Sequence, residues 1–270
     1  MVAQLSDEEM IGEAVRIVEA ANSKGVILRI LGAIAIRLHS KGFEDLHKRL
    51  GRLGADSGKS FTDIDLIGYS SQWGAIRKLM EKDLSFNISR QFLLLHGKDR
   101  LLYYHPQNLY HVDIFFDKLI FSHDIEFGKL GKGRLELDYP TITVTDLLLE
   151  KLQIHQINEK DIKDVIILLR AHELGHGDED AINLDRLAEI LGDDWGFWMD
   201  FRNNLSKTLS YAQRYRRESL LSEEEYRDVE SKIEKLVELL DSCPKTKKWT
   251  KRAKQGEKKK YWRDVEELYR

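Results

Sequence analysis

Near the start of the chain apolar residues return at helical spacing. Ile11, Ala14, Val15 and Val18 share one face of a helix expected over 6–23, opened by Ser6 with acids behind it. Gly25 stops that pattern, and the run Val26-Ile-Leu-Arg-Ile-Leu31 reads as a buried strand. Gly32 then turns the chain into a helix expected over 34–49, with Ile34, Leu38 and Leu46 on its apolar side. A polar loop, Gly51 to Lys59, leads to a strand expected over 61–67, in which Asp63 and Asp65 alternate with Ile64 and Leu66. A helix over 72–83 precedes strand-like runs near 87–95, 100–104 and 110–117. Further extended pieces, broken by Gly128, Gly131 and Gly133, reach to about Thr143.

From Val144 the period becomes helical and stays so, predicting helices over 144–156, 159–172, 184–191, 194–217 and 222–242. The change of period divides the chain. Residues 1–143 are expected to form an α+β unit, a mixed sheet flanked by helices; 144–243 form a helical domain and 244–270 a tail.

Composition narrows the class only a little. Charged residues are 33% and hydrophobic ones 42% of the 270, an ordinary balance for a water-exposed globular chain with a sizeable core. No apolar run approaches the roughly 18 residues of a membrane span, and the acidic, polar start does not read as a secretory signal. The one cysteine, Cys243, forbids an intrachain disulfide and agrees with a reducing, cytoplasmic setting. Charge matters more: between Lys245 and Arg263 ten basic residues face a single acid, Glu257. That stretch carries +9, leaving −12 on the rest of a chain whose total is −3. Trp249, Tyr261 and Trp262 are interleaved with those charges. The tail therefore reads either as a surface for RNA or DNA, or as a solvated segment ending in a docking helix over 258–269.

The candidate chemistry lies in Phe61-Thr-Asp63-Ile-Asp65-Leu66. A strand's period of two puts both carboxylates on one face while Ile64 and Leu66 turn to the core. Adjacent carboxylates repel, and a divalent cation with oxygen preference relieves that repulsion. Tyr110-His-Val-Asp113-Ile-Phe-Phe116 repeats the form, one carboxylate within an apolar strand. Three carboxylates on adjacent strands suit two Mg²⁺ ions, one activating an attacking group and the other holding a triphosphate, with Asp113 also placed to accept a proton. Upstream, the Gly32 turn brings backbone N–H groups at a helix start within reach of phosphate oxygens.

These runs resemble the DNA polymerase β-like nucleotidyltransferase superfamily. Leu31-Gly-Ala-Ile-Ala-Ile-Arg-Leu-His39 looks like its glycine motif, Lys59-Ser-Phe-Thr62-Asp63-Ile-Asp65-Leu its paired-carboxylate strand, and Val112-Asp113-Ile its third-carboxylate strand. Thr145-Asp-Leu-Leu-Leu-Glu-Lys151 and Lys160-Asp161-Ile-Lys-Asp164 are similar to the helical part of the abortive-infection, type IV toxin-like branch. The resemblance covers about residues 26–170 and implies a nucleotidyltransferase-type sheet followed by a C-terminal helical domain, with the site in the cleft between them. It implies an enzyme that moves a nucleoside monophosphate from an NTP to an acceptor hydroxyl and releases pyrophosphate. Asp63, Asp65 and Asp113 would bind Mg²⁺ or Mn²⁺. Gly32, Ala33, Lys59, Thr62 and Lys151 would hold the nucleotide, with Asp161 or Asp164 in support. The acceptor would be tRNA or another RNA, an antitoxin protein would be the controlling partner, and no membrane is involved. Two departures stand out: Ala33 occupies the position of a Gly or Ser, and the spacing from Gly32 to Asp63 exceeds that of minimal members. Ala33 keeps open a catalytically silent protein that binds nucleotide, RNA or a partner.

A different chemistry competes for one segment. Ala171-His172-Glu173-Leu-Gly-His176 matches the helical zinc-peptidase pattern H-E-x-x-H. Gly175 and Gly177 argue that the helix stops there, and the extended motif's third ligand is missing; only the distant Glu189 offers a carboxylate. His39 reads either as a neighbour of the nucleotide or as a packed histidine, and Trp195, Phe197 and Trp198 as packing aromatics. Arg214, Arg216 and Arg217 read as a solvated face or an RNA-facing one.

Overall fold

A computed structural model describes residues 5–54 and 59–265. In chain order the elements begin α1 (Asp7–Asn22), β1 (Leu28–Leu31), α2 (Gly32–His39), α3 (Glu44–Leu50), β2 (Ile64–Gly68), α4 (Trp73–Lys78), β3 (Asn87–Ile88) and α5 (Arg90–His96). There follow β4 (Arg100–Tyr104), β5 (His111–Phe116), β6 (Lys118–Ile120), β7 (Asp124–Glu126), α6 (Val144–Leu152) and α7 (Glu159–Ala171). The last are β8 (Glu173–Gly175), β9 (Ala181–Asn183), α8 (Leu184–Asp193), α9 (Trp195–Arg217), α10 (Glu223–Ser242) and α11 (Lys247–Ala253). The chain is an α+β protein with a mixed sheet and flanking helices. Among the described residues no helix is long and apolar enough to cross a membrane.

Two units are distinguished: one of Met1–Leu38, Leu53–Leu119 and Glu126–Thr143, the other of His39–Arg52, Ile120–Ile125 and Val144–Arg270. In the first, five strands run in the order β1-β2-β5-β4-β3, with β2 and β5 parallel and the other neighbours antiparallel. Leu28, Ile30, Ile64, Leu66, Ile67, Val112 and Ile114 are fully buried, so burial of these strand residues drives the sheet. Helix α1 starts as the sequence predicts: the Ser6 hydroxyl accepts from Glu9 N–H while the Glu9 carboxylate accepts from Ser6 N–H. Its buried face is Met10, Ala14, Ile17, Val18 and Ala21. The expected stripe was thus rotated, leaving Ile11 and Val15 half-buried at its border.

Three expectations for this half need correction. The helix expected over 34–49 is two helices, α2 and α3, because Gly42 takes φ +89° and its N–H is accepted by the Glu44 carboxylate. The strand expected near 87–95 is strand only at Asn87–Ile88. Ser89 caps α5 by accepting from Phe92 N–H, and of that run only Phe92 is buried while Leu94 is 86% exposed. The helix over 72–83 forms as α4 plus a wider π turn, Leu79–Asp83.

In the second unit α9 packs against α6, α7, α8 and α10, burying Trp195, Phe197, Phe201, Leu205 and Tyr215. The packing reading of Trp195 and Phe197 therefore holds. Helix α6 ends at Leu152 and does not run to 156, because the Asn204 side-chain amide donates to the carbonyls of Leu152 and Ile154 at 2.9 and 2.8 Å. The basic tail packs on this same unit. Trp262 stacks on His155 with ring centroids 3.7 Å apart, Tyr261 meets Trp195 edge-on, and Trp249 meets Trp198 edge-on. Arg252 lies over Trp195. The tail's described residues contain α11, which the sequence reading missed. They contain no helix between Lys259 and Val265, so the docking helix expected over 258–269 is absent there, and its last residues lie outside the described ones.

Candidate functional site

The first unit brings Gly32, Asp65 and Asp113 together at the centre of its sheet. Strand register places Asp65 opposite Leu31 on one side and opposite Asp113 on the other, so the two aspartates project from adjacent parallel strands on one face. Gly32 follows Leu31 and opens α2 at φ +69°. A Cβ built there would lie 2.9 Å from Asp65 Oδ2, so the chain can turn this close to the carboxylate only with glycine. Asp63 sits just before β2, half-buried, and Thr62 Oγ1 donates to Asp63 Oδ1 at 3.2 Å. Ala33 and Lys59 are also half-buried, and Thr62 is exposed.

Two residues that the sequence reading did not assign complete this face. Arg100, the first residue of β4, donates from Nε to Asp113 Oδ1 and from a terminal nitrogen to Asp113 Oδ2, both at 2.8 Å. Its guanidinium is sandwiched by aromatics, 4.6 Å from the Phe115 ring centre and 5.6 Å from that of Phe92. His111 opens β5 with Nε2 3.5 Å from Asp63 Oδ2, and that contact pushes its pKa above the ordinary histidine value against the cost of burial. Only strand register reveals either partner. Arg100 is thirteen residues from Asp113 in sequence, and a two-residue misjudgement of the β4–β5 turn would move it out of reach.

The donors of Asp63, Asp65, Asp113 and Thr62 are all oxygen, three carboxylates and one hydroxyl, with the His111 imidazole beside Asp63. Such a set suits Mg²⁺ or Mn²⁺, and Asp63 and Asp65 have their oxygens in the half-exposed part of the site. Asp113 is 5% exposed and already has both oxygens on a cation.

In the second unit Lys151, Asp161 and Asp164 converge. Lys151 Nζ lies 3.0 Å from Asp161 Oδ1, 3.2 Å from Asp164 Oδ2 and 3.6 Å from Glu150 Oε1. Arg52 grips Asp164 from the other side with Nε 3.1 and 3.0 Å from its two oxygens. Burial alone would push the Lys151 pKa down, but the surrounding carboxylates push it well up. Burial likewise raises Asp161, yet Lys151 and Arg52 hold its pKa below the usual carboxylate range. Lys151 and Asp164 are buried and Asp161 half-buried, and their charges neutralise one another.

The zinc-peptidase geometry is not formed. Helix α7 stops at Ala171, His172 is extended at φ −128°, and Glu173–Gly175 is β8, so His172 and His176 do not share a helical face. The Glu173 carboxylate is 2.9 Å from Lys232 Nζ, and exposed His176 meets Asp185 at 3.1 Å. His172 turns elsewhere: its ring packs edge-on against His39 with centroids 5.8 Å apart, and its Nδ1 lies 3.1 Å from Asp180 Oδ1. Burial holds the His172 pKa below the ordinary histidine value despite Asp180. No protein-family model, curated protein or solved structure matches this chain.

Proposed function

We propose that the chain is a divalent-metal-dependent nucleotidyltransferase that moves a nucleoside monophosphate from an NTP to an acceptor hydroxyl. The observation that carries this reading is the strand register that pairs Asp65 with Asp113 beside the Gly32 turn, with Asp63 two residues upstream. Asp63 and Asp65 would hold Mg²⁺ or Mn²⁺, which when bound neutralises phosphate charge and lowers the pKa of a bound hydroxyl. The chain's own part is positional. Gly32 lets the start of α2 come close to the carboxylates, where backbone N–H groups suit phosphate oxygens. Arg100 fixes the Asp113 carboxylate in one orientation, with both of its oxygens held. Lys151 is engaged by Asp161 and Asp164, which supports a role in holding α6 against α7 rather than direct phosphate contact. The resemblance to abortive-infection toxins supports tRNA or another RNA as acceptor and an antitoxin protein as the controlling partner.

A second reading, a catalytically silent nucleotidyltransferase-type protein that binds nucleotide, RNA or a partner, has two observations in its favour. Arg100 occupies both oxygens of Asp113, and Ala33 supplies no hydroxyl to a phosphate. Incubation with each α-labelled NTP and Mg²⁺, with and without total tRNA, separates the two. Label transferred by the wild type and not by Asp63→Ala supports the enzyme; nucleotide bound without any transfer supports the silent protein.

A further inference from the structure

The basic tail is folded, with aromatic and cationic side chains on opposite sides of its helix. Thr246 caps α11 by accepting from Trp249 N–H, and its own N–H donates to the Gly192 carbonyl. At helical spacing Trp249, Arg252 and Ala253 share one side of α11, and Lys247, Lys251 and Lys254 share the other. The first side faces the protein: Trp249 meets Trp198 edge-on, and the Arg252 guanidinium lies 4.8 Å from the Trp195 ring centre. Arg252 also donates to the carbonyls of Gly256 and Lys259, which folds the next turn back on the helix. Beyond that turn the Tyr261 hydroxyl donates to Asp200 Oδ1 at 3.2 Å, and Trp262 stacks on His155.

Some of the tail's cations are spent on the protein itself. Lys248 pairs with Asp193 at 2.7 Å, Lys260 with Asp264 and Arg263 with Asp124. Lys247, Lys251, Lys254, Lys258 and Lys259 are exposed and make no ion pair among the described residues. By contrast Arg49, Arg170, Arg214 and Lys232 of the same unit each sit on a carboxylate. The five lysines therefore focus positive potential on a chain that carries −12 outside the stretch from Lys245 to Arg263. A polyanion is drawn to this surface and repelled by the remainder.

We propose that Lys247, Lys251, Lys254, Lys258 and Lys259 form a docking surface for the phosphate backbone of a double-helical RNA stem. Two features select a duplex. The tail's aromatics are engaged with the protein's own rings, so they are not offered to unstacked bases. Contact is then by charge, and a duplex carries one negative charge per about 1.7 Å of axis, about twice the density of a single strand or an extended acidic peptide. The choice of RNA rests on the acceptor named for the proposed reaction. The surface itself rests on charge and belongs wholly to the second unit.

The test is fluorescence anisotropy of a labelled RNA duplex of about 16 base pairs with the full-length protein, across about 50 to 200 mM salt. Five phosphate contacts predict a slope of log K against log salt near about −4.5, which is about a 500-fold loss of affinity over that range. Lys251→Gln alone should reduce the slope by about 0.9, and glutamine at all five positions should remove the salt-sensitive binding while the aromatic anchors keep the tail folded. The single strand of the same sequence and a glutamate peptide of equal length should bind at least about tenfold more weakly. Duplex binding without nucleotide transfer would sink the proposed reaction and leave the surface standing; transfer without duplex binding would do the reverse. Duplex binding unchanged in the fivefold variant, or matched by the single strand or the acidic peptide, overturns the proposal.

Discussion

Arg100 holds Asp113 as a two-pronged pair, Nε to one carboxylate oxygen and a terminal nitrogen to the other, each at 2.8 Å. Both residues belong to the central strands of the first unit's sheet, and Asp113 is 5% exposed. The fixed carboxylate thus faces Asp65 across the parallel pair with its charge already countered.

Removing that counter-charge has a directional consequence. Arg100→Met should destabilise the protein by about 3 kcal/mol, because it strands a buried carboxylate next to Asp65. Millimolar Mg²⁺ should restore part of the loss, since a dication can replace the guanidinium. Urea denaturation of wild type and variant, with and without Mg²⁺, checks this; equal Mg²⁺ effects on both proteins would contradict it.

Gly32 is constrained twice, by its backbone and by its neighbour. Gly32→Ala should cost about 1–2 kcal/mol for the left-handed conformation alone. It should also displace Asp65, whose Oδ2 would lie 2.9 Å from the new Cβ. Thermal unfolding should register the first effect, and loss of Mn²⁺ binding the second.

Lys151 sits among carboxylates, and its removal leaves them facing one another. Lys151→Met should destabilise by about 3–5 kcal/mol, while Asp161→Asn, which leaves Asp164 and Glu150 to pair with the lysine, should cost less. Chemical denaturation of both variants gives the order.

The same network sets an acid limit. Because Asp161 is held below its unfolded value of about 3.9, its contribution is present above that pH and is lost as pH falls through the folded value. Lys151, raised above its unfolded value of about 10.4, contributes throughout the neutral range and loses its share only in strong alkali. Wild-type stability should therefore fall on acidification below about pH 4, and Asp161→Asn should show a shallower fall in denaturation midpoints between about pH 2 and 6.

Much of this architecture was legible in the chain because the signals were local. The capping box at Ser6, the period change at Val144 and the strand that carries Asp65 each depend on residues a few positions apart, although that strand begins at Ile64 and leaves Asp63 just outside it. The break between α2 and α3 was not legible, since it depends on Gly42 adopting a positive φ within an otherwise helical pattern. The apolar run Phe92-Leu-Leu-Leu95 misled because Leu94 and Leu95 face outward, which only the sheet's extent decides. Arg100, Arg52 and the His39–His172–Asp180 group escaped for a common reason. Their partners lie far along the chain or across a strand register, and no spacing rule encodes such pairs.

The central claim is that Asp63 and Asp65, beside the Asp113 carboxylate that Arg100 holds, form a divalent-metal site for a nucleotide, and Mn²⁺ electron paramagnetic resonance tests it most directly. The account predicts that wild-type protein binds Mn²⁺ in the presence of an NTP, that Mg²⁺ displaces it, and that Asp65→Asn and Asp63→Asn abolish it while remaining folded. Binding that is absent from the wild type, or that survives unchanged in both variants, would contradict the account.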